Sequence, residues 1–284
     1  MNKYKILQYG VDYVFLNNIN MKGSRPKKQV YDIKSNRRAI FKYENYECTE
    51  ACSEKMSYEI AKLLGYKCAK IELARDENGV IGILNYLFTD TKNSEHIDAV
   101  SYINTENEDR KKFYTIENIE NCLNKLDKKL FNDFLKIMVF DAFVGETDRH
   151  EENWGITIKE GKHKISPLYD NGCNLLRTFK NEKELEKYTE RGNKNFNAFI
   201  HRSKTYIYNS ENGKRYTHFE LLEKLKENHE KELKKEIKKL EKISRKDIEK
   251  IVNKIPNELM TDLHKEYVIK YLVIRKEIML KIIK

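Results

Sequence analysis

The residues best suited to chemistry lie in two stretches. One is Gly145-Glu146-Thr147-Asp148-Arg149-His150-Glu151-Glu152-Asn153-Trp154-Gly155-Ile156, and the other is Pro167-Leu168-Tyr169-Asp170-Asn171-Gly172. Asp148 is followed five residues later by Asn153, and an expected strand pair separates them from Asp170. Two carboxylates and an amide in this order suit the transfer of a phosphoryl group. One carboxylate holds a hydroxyl and accepts its proton, while the amide oxygen and the second carboxylate hold the Mg²⁺ ions that bridge phosphates. Asp and Asn are also ordinary loop and helix-cap residues. The ordered set carries the reading, and neither residue carries it alone.

Such a site needs a lysine on a strand to meet the α- and β-phosphates, and a helix glutamate to orient it. Lys42 follows Ala39-Ile40-Phe41 in an expected strand, 38–43. The next helix is expected from an N-cap at Ser53, with Met56, Ile60 and Leu63 on its core face and Gly65 at its end. It offers Glu54, with Glu50 and Glu59 as competitors. Glu54 is preferred because it stands near the helix start and off the core face. Gly23-Ser24-Arg25-Pro26-Lys27-Lys28 precedes the lysine strand and is placed to be a phosphate loop. Its small residues allow close backbone approach and its cations suit a triphosphate. Lys27, Lys28 and Arg149 are candidates to meet phosphate. His150 reads as a buried histidine bracing the loop in preference to a proton shuttle, and Trp154 as packing beneath Asn153.

The remaining pattern supplies a scaffold. Strands are expected at 13–16, 29–33, 69–74 and 80–84, the last two as a hairpin. Residues 89–118 read as polar and irregular. From about 119 the chain is mostly helical, with a broad apolar face over Leu130–Val144. A hairpin is expected at 154–166 and a capping box at Ser244-Arg245-Lys246-Asp247. The expectation is an α+β chain: an antiparallel sheet with one helix over 1–88, and a helical part over 89–284.

The chain has 284 residues, of which 11 are Gly and 3 Pro, too few for a loop-rich all-β or collagen-like chain. Lys+Arg 55 against Asp+Glu 45 gives +10, which favours anionic partners. The absence of an 18-residue apolar run argues against a membrane span, and the N-terminal residues lack a cleavable secretory signal. Five scattered cysteines read as reduced thiols of a cytoplasmic protein, with no Cys/His set for zinc.

Taken together, Asp148-x-His150-x-x-Asn153, Pro167-Leu168-Tyr169-Asp170, Gly23-Ser24-Arg25-Pro26-Lys27 and the helix from Glu54 to Gly65 resemble the HipA-like serine/threonine kinases, in particular the short branch typified by the CtkA kinase. The likeness spans about residues 10–275. It implies a two-lobed protein-kinase-like fold, distantly shared with phosphoinositide kinases, and an ATP- and Mg²⁺-dependent transfer to a protein serine or threonine. By that resemblance Asp148 is the catalytic base, Asn153 and Asp170 hold Mg²⁺, and Lys42 and Glu54 form an ion pair. Residues 23–28, with Gly23, Ser24 and Lys27, form the phosphate loop. Tyr86 and Leu87 belong to a hinge whose backbone holds adenine. Ser24 lies near the position that is autophosphorylated in HipA kinases. HipA toxins carry an additional N-terminal subdomain that this chain is expected to lack, which leaves a HipB-like antitoxin partner open. Two other function classes remain: a lipid or small-alcohol kinase of related fold, and a basic, non-enzymatic binding module. Nucleic acid is disfavoured as a partner, because no recognised nucleic-acid motif is present.

Overall fold

Alternating β-branched and aromatic residues give the first third of the chain its strands. β1 (Ile6–Gln8), β2 (Tyr13–Phe15), β3 (Lys27–Asp32) and β4 (Arg37–Tyr43) precede helix α1 (Glu50–Leu63), and β5 (Ile71–Arg75) and β6 (Ile81–Tyr86) follow it. They form one six-stranded sheet in the order β1-β5-β6-β4-β3-β2, antiparallel except where β1 runs parallel to β5. The computed structural model describes residues 2–16, 26–44, 48–89, 93–103, 109–179, 182–189 and 194–284.

The period of two decides which side chains face the site. Val30, Ala39, Phe41, Leu84 and Tyr86 gather with Tyr13 and Ala74 in a small cluster on one face of the sheet. Ile71, Leu73 and Ile83 join Met56 and Ile60 of α1 in the main core on the other. Lys42, next to Phe41, is therefore presented on the side where α1 lies. The helix begins one turn earlier than its sequence suggests, at Glu50, with Thr49 rather than Ser53 as its N-cap residue. Thr49 makes no side-chain cap. Instead the Glu44 carboxylate accepts the Ala51 N–H at 2.9 Å. Ser53 is buried within the helix and donates to Asn174 O at 3.2 Å.

The segment read as irregular holds β7 (Ser94–Asp98) and two short helices, α2 (Val100–Ile103) and α3 (Arg110–Phe113). The helical part then follows with α4 (Ile116–Leu126) and α5 (Lys128–Val144). β8 (Gly155–Lys159) and β9 (Lys162–Ile165) form the expected hairpin, with β7 added to make a three-stranded sheet in the order β7-β8-β9. After α6 (Glu182–Thr189) and α7 (Lys194–Arg202) come a two-stranded ribbon, β10 (Lys204–Tyr208) and β11 (Arg215–Thr217), and helices α8 (His218–Ile237), α9 (Arg245–Val252) and α10 (Asp262–Ile282). The Ser244/Asp247 capping box forms as expected, and Thr217/Glu220 makes a second one on α8. α5 is buried over most of its length and packs against α4, α8 and α10 at the centre of the main core.

A strap joins the sheet to the far end of the helical part. Lys3 Nζ donates to Asn253 O, Ile255 O and Asn257 Oδ1 at 2.9, 3.3 and 2.8 Å, and the Tyr4 N–H donates to Lys254 O at 2.7 Å. Arg75, on β5, pairs with Glu258 at 2.5 Å. Among the described residues no helix is long and apolar enough to cross a membrane.

Candidate active site

A cleft of about 550 Å³ lies between the sheet and the helical part. Lys27, Lys42, Glu54 and Ile83 line it from the sheet and α1. Asp148, His150, Asn153 and Asp170 line it from the loops after α5 and β9.

The first of these loops starts where α5 must stop. Gly145 has φ +76°, the left-handed conformation that glycine adopts without strain, and a Cβ there would fall 1.9 Å from the Tyr271 hydroxyl. The loop then closes on itself. Asn153 Nδ2 donates to Asp148 O at 2.8 Å, and the Asp148 N–H donates to Glu146 Oε1 at 2.9 Å. Arg149 points inward and is 2% exposed. It makes a two-pronged pair with Asp141 of α5 at 2.9 and 3.1 Å, and donates to Asn153 O, Tyr169 O and Asn171 Oδ1 at 2.8, 2.8 and 2.6 Å. Burial opposes its charge, but Asp141, together with Glu146 and Tyr114, outweighs burial and raises its pKa. One buried guanidinium thus ties α5 to both site loops.

On the other wall, Lys42 Nζ pairs with Asp170 Oδ1 at 2.9 Å. Desolvation opposes both charges. Each nonetheless stabilises the other: the Lys42 pKa is raised by Asp170 and Glu54, and the Asp170 pKa lies below the usual carboxylate range because of Lys42. Asp170 has φ +54°, a conformation Asp tolerates better than most residues. Glu54 is buried, which pushes its pKa up to about 7. Its Oε2 accepts the Asn171 N–H at 3.1 Å. The expected ion pair between Lys42 and Glu54 is not made. Lys42 holds Asp170, and Glu54 holds the backbone one residue further on. Gly172 permits this approach of loop to helix, since a Cβ there would lie 2.8 Å from Glu50 Cγ.

The donor set fits Mg²⁺. Asn153 Nδ2 is committed to Asp148 O, which leaves its Oδ1 for a cation, and Asp170 Oδ2 has no protein donor among the described residues. Three His, Cys, Asp or Glu side chains converge on no metal site among the described residues. A nucleotide-bound Mg²⁺ needs none, because one or two protein oxygens and the phosphates hold it.

Family comparison agrees with this architecture. A family model described as the HipA-like C-terminal domain matches residues 19–261. The chain belongs to that family. Among solved structures, the Helicobacter pylori proinflammatory kinase CtkA is similar at a TM-score of 0.78 and 20% identity, over 95% of this chain and 94% of that one. The Shewanella oneidensis MR-1 HipA, seen in complex with HipB and its operator DNA, is similar at a TM-score of 0.59 and 13% identity. There the likeness covers 91% of this chain and 64% of that chain. The fold is therefore the HipA/CtkA kinase-like fold. No curated protein sequence matches.

The cleft brings together Lys27, Lys42, Glu54, Asp148, Asn153 and Asp170 from distant parts of the sequence. Gly23 and Ser24 lie outside the described residues. Tyr86 and Leu87 do not line the cleft. The Tyr86 ring is buried on the opposite face of the sheet with its hydroxyl on Asp32, and the backbone N–H groups of Tyr86 and Leu87 are taken by Lys70 O and Arg38 O. These N–H groups are not free for adenine. Lys28 also faces away, because it alternates with Lys27. It lies 4.0 Å over the Phe15 ring and pairs with Glu77 at 3.3 Å. Arg149 braces the loops and does not reach the cleft. His150 lines the cleft instead of being buried, its Nδ1 accepting the Glu152 N–H at 3.2 Å. Trp154 is buried in the core, as expected.

Two residues escaped the sequence reading. Glu146 is buried, and its carboxylate accepts N–H groups from Asp148, Cys173 (3.2 Å) and the Asn174 side chain (3.0 Å); burial pushes its pKa up to about 8. Only its position beside Asp148 hinted at this. Asp98 enters the cleft from β7, where it accepts from the Tyr169 hydroxyl and pairs with His96, both at 2.9 Å. No local pattern marked it.

Proposed function

We propose that this chain is an ATP-dependent serine/threonine protein kinase. The observation that carries the reading is the Lys42–Asp170 pair facing Asp148 and Asn153 across one cleft, with the three segments brought together by the fold. In this reading residues 1–88 form the N-lobe and residues 89–284 the C-lobe. Asp148 holds the acceptor hydroxyl and takes its proton as the oxygen attacks the γ-phosphorus and the bond from that phosphorus to the β–γ bridging oxygen breaks, releasing ADP. Lys42 turns from Asp170 towards the α- and β-phosphates, and Lys27 adds charge from β3. Asn153 and Asp170 hold Mg²⁺, which when bound neutralises charge on the phosphates. Glu54 fixes the backbone after Asp170, and Arg149 fixes the loop that carries Asp148. Most of the rate comes from positioning and charge already in place. The segment 23–26 that leads into β3 is the phosphate loop in this reading, with Lys27 at the start of the strand and Lys28 turned away from the cleft, and Ser24 is a candidate site of autophosphorylation.

The test is incubation of the purified chain with Mg²⁺ and γ-labelled ATP, beside Asp148→Asn, followed by phosphosite mapping. Label on serine or threonine that disappears in the variant is expected. Equal labelling in both would sink the assignment of Asp148. ATP binding without protein label, but with label on an added lipid or small alcohol, would replace the protein-kinase reading.

A further inference from the structure

Next to the cleft, α3 and the β10–β11 ribbon build a cationic surface that phosphoryl transfer itself does not use. The guanidinium carbons of Arg110 and Arg215 lie 5.4 and 4.9 Å from the centre of the Tyr206 ring. Arg110 is further fixed by the Tyr206 hydroxyl at 3.3 Å and by Glu151, whose buried carboxylate it meets at 2.6 Å. Lys111 reaches the turn between β10 and β11, its Cδ 4.0 Å from the position of a Cβ on Gly213. Lys204 and Lys214 are exposed on the same ribbon. The neighbouring acids are largely engaged. Glu151 holds Arg110, Asp109 faces Lys112 at 3.7 Å, and Glu220 caps the Thr217 N–H at 2.8 Å, leaving Glu211 at the turn and Glu117 near Tyr216.

This surface is joined to the loop that carries Asp148. The His150 ring meets Tyr206 edge to face at 5.5 Å. The Tyr208 N–H donates to Tyr114 O at 2.9 Å, and the Tyr114 hydroxyl donates to Arg149 O at 2.7 Å.

We infer that this surface docks an acidic segment of the protein whose hydroxyl is phosphorylated, an inference that rests on the kinase reading above. His150 is two residues from Asp148 and touches Tyr206. A segment lying over the ribbon reaches Asp148 with a few residues of extended chain, at about 3.3 Å each. A polypeptide fits better than nucleic acid. The Tyr206 ring already carries two guanidinium groups and meets the Tyr114 and His150 rings, which crowds it as a platform for a stacked base.

The test compares two labelled serine peptides, identical except for glutamate or lysine flanks, by fluorescence anisotropy on the full chain. A short single-stranded RNA serves as a third probe, and Mg·ATP binding is measured in parallel. The glutamate peptide is expected to bind about tenfold more tightly than the lysine peptide, with the difference shrinking in salt. Lys111→Glu/Arg215→Glu should abolish the preference and leave ATP affinity unchanged. Lys242→Glu/Lys246→Glu, with the same change in net charge at a distant surface, should keep the preference. No preference in the unmodified chain, or one that survives Lys111→Glu/Arg215→Glu, would overturn the inference. So would RNA binding more tightly than the glutamate peptide and being lost with the same two substitutions. Intact ATP binding without peptide preference would remove the dock alone, whereas failure to bind ATP would remove the kinase reading beneath it.

Discussion

Two cations hold this site, and they are held in opposite ways. Arg149 is buried, has a carboxylate matched to its fork, and spends its remaining N–H groups on three further oxygens. Lys42 makes one ion pair, at the wall of a cleft, with an aspartate whose side chain is 42% exposed. The first arrangement is saturated and closed to ligands, so its contribution is to geometry. The second is open to a competing partner, so in the proposed kinase reading its contribution is to chemistry. A buried ion pair is costly to break, because the orphaned charge has no solvent, whereas a partly exposed pair exchanges partners at little cost.

The sharpest way to break this contrast is Arg149→Met. It strands Asp141 in the core and should cost roughly 3–5 kcal/mol. For a chain of this size that lowers the Tm by on the order of 10 °C in a calorimetric scan. Lys42→Met should stay within about 1 kcal/mol of the parent in the same scan, yet lose about a hundredfold or more in turnover with labelled ATP. Equal thermal loss in the two variants would erase the distinction.

A pH series sharpens it further. Burial pushes Glu146 up to about 8 and Glu54 up to about 7, whereas an unfolded glutamate titrates near 4.3. Between those values the folded chain keeps protons that the unfolded chain has released. Stability should therefore fall as pH rises from about 6.5 to 8, above the range in which buried His218, held down to about 3 by desolvation, works the other way. Glu146→Gln should flatten that fall by on the order of 1 kcal/mol, read as Tm against pH. Asp170, lowered by Lys42, works in the other direction and only in acid, losing its contribution as pH falls through its folded pKa. The smallest expected effect separates two neighbouring lysines. Lys27→Ala should raise the KM for ATP roughly two- to fivefold, and Lys28→Ala, on the other face of β3, should leave it unchanged.

What could be read from the sequence follows from how local each cause is. β4, α5 and the Ser244 capping box announce themselves, because the period of two, a broad apolar face and a cap are written within a few residues. The spacing of Asp148, Asn153 and Asp170 was legible for the same reason, and the cleft does gather them. β1 and β7 are three and five residues long and exist through pairing with β5 and β8, far away in the chain. Nothing within them specifies that pairing, and Asp98 was lost with β7. The start of α1 was misplaced because its first turn is satisfied by Glu44, from before the helix. Tyr86 and Leu87 were misplaced because an expected hinge names a stretch of chain but does not say which backbone groups the sheet already uses.

The strap formed by Lys3 and Tyr4 has a mechanical meaning. The sheet and the helical part meet at the cleft and are also bolted at a second place, where β1 leads into contacts with residues 253–257 and Arg75 meets Glu258. The Cys68–Leu168 bridge, the Tyr66 hydroxyl on Glu236 and the packing of α1 on α9 fasten them further, and a jaw fastened at several points does not swing freely. Widening the cleft must either strain these contacts or flex the sheet that carries Lys42, so residues far from the chemistry share in limiting how wide the mouth opens.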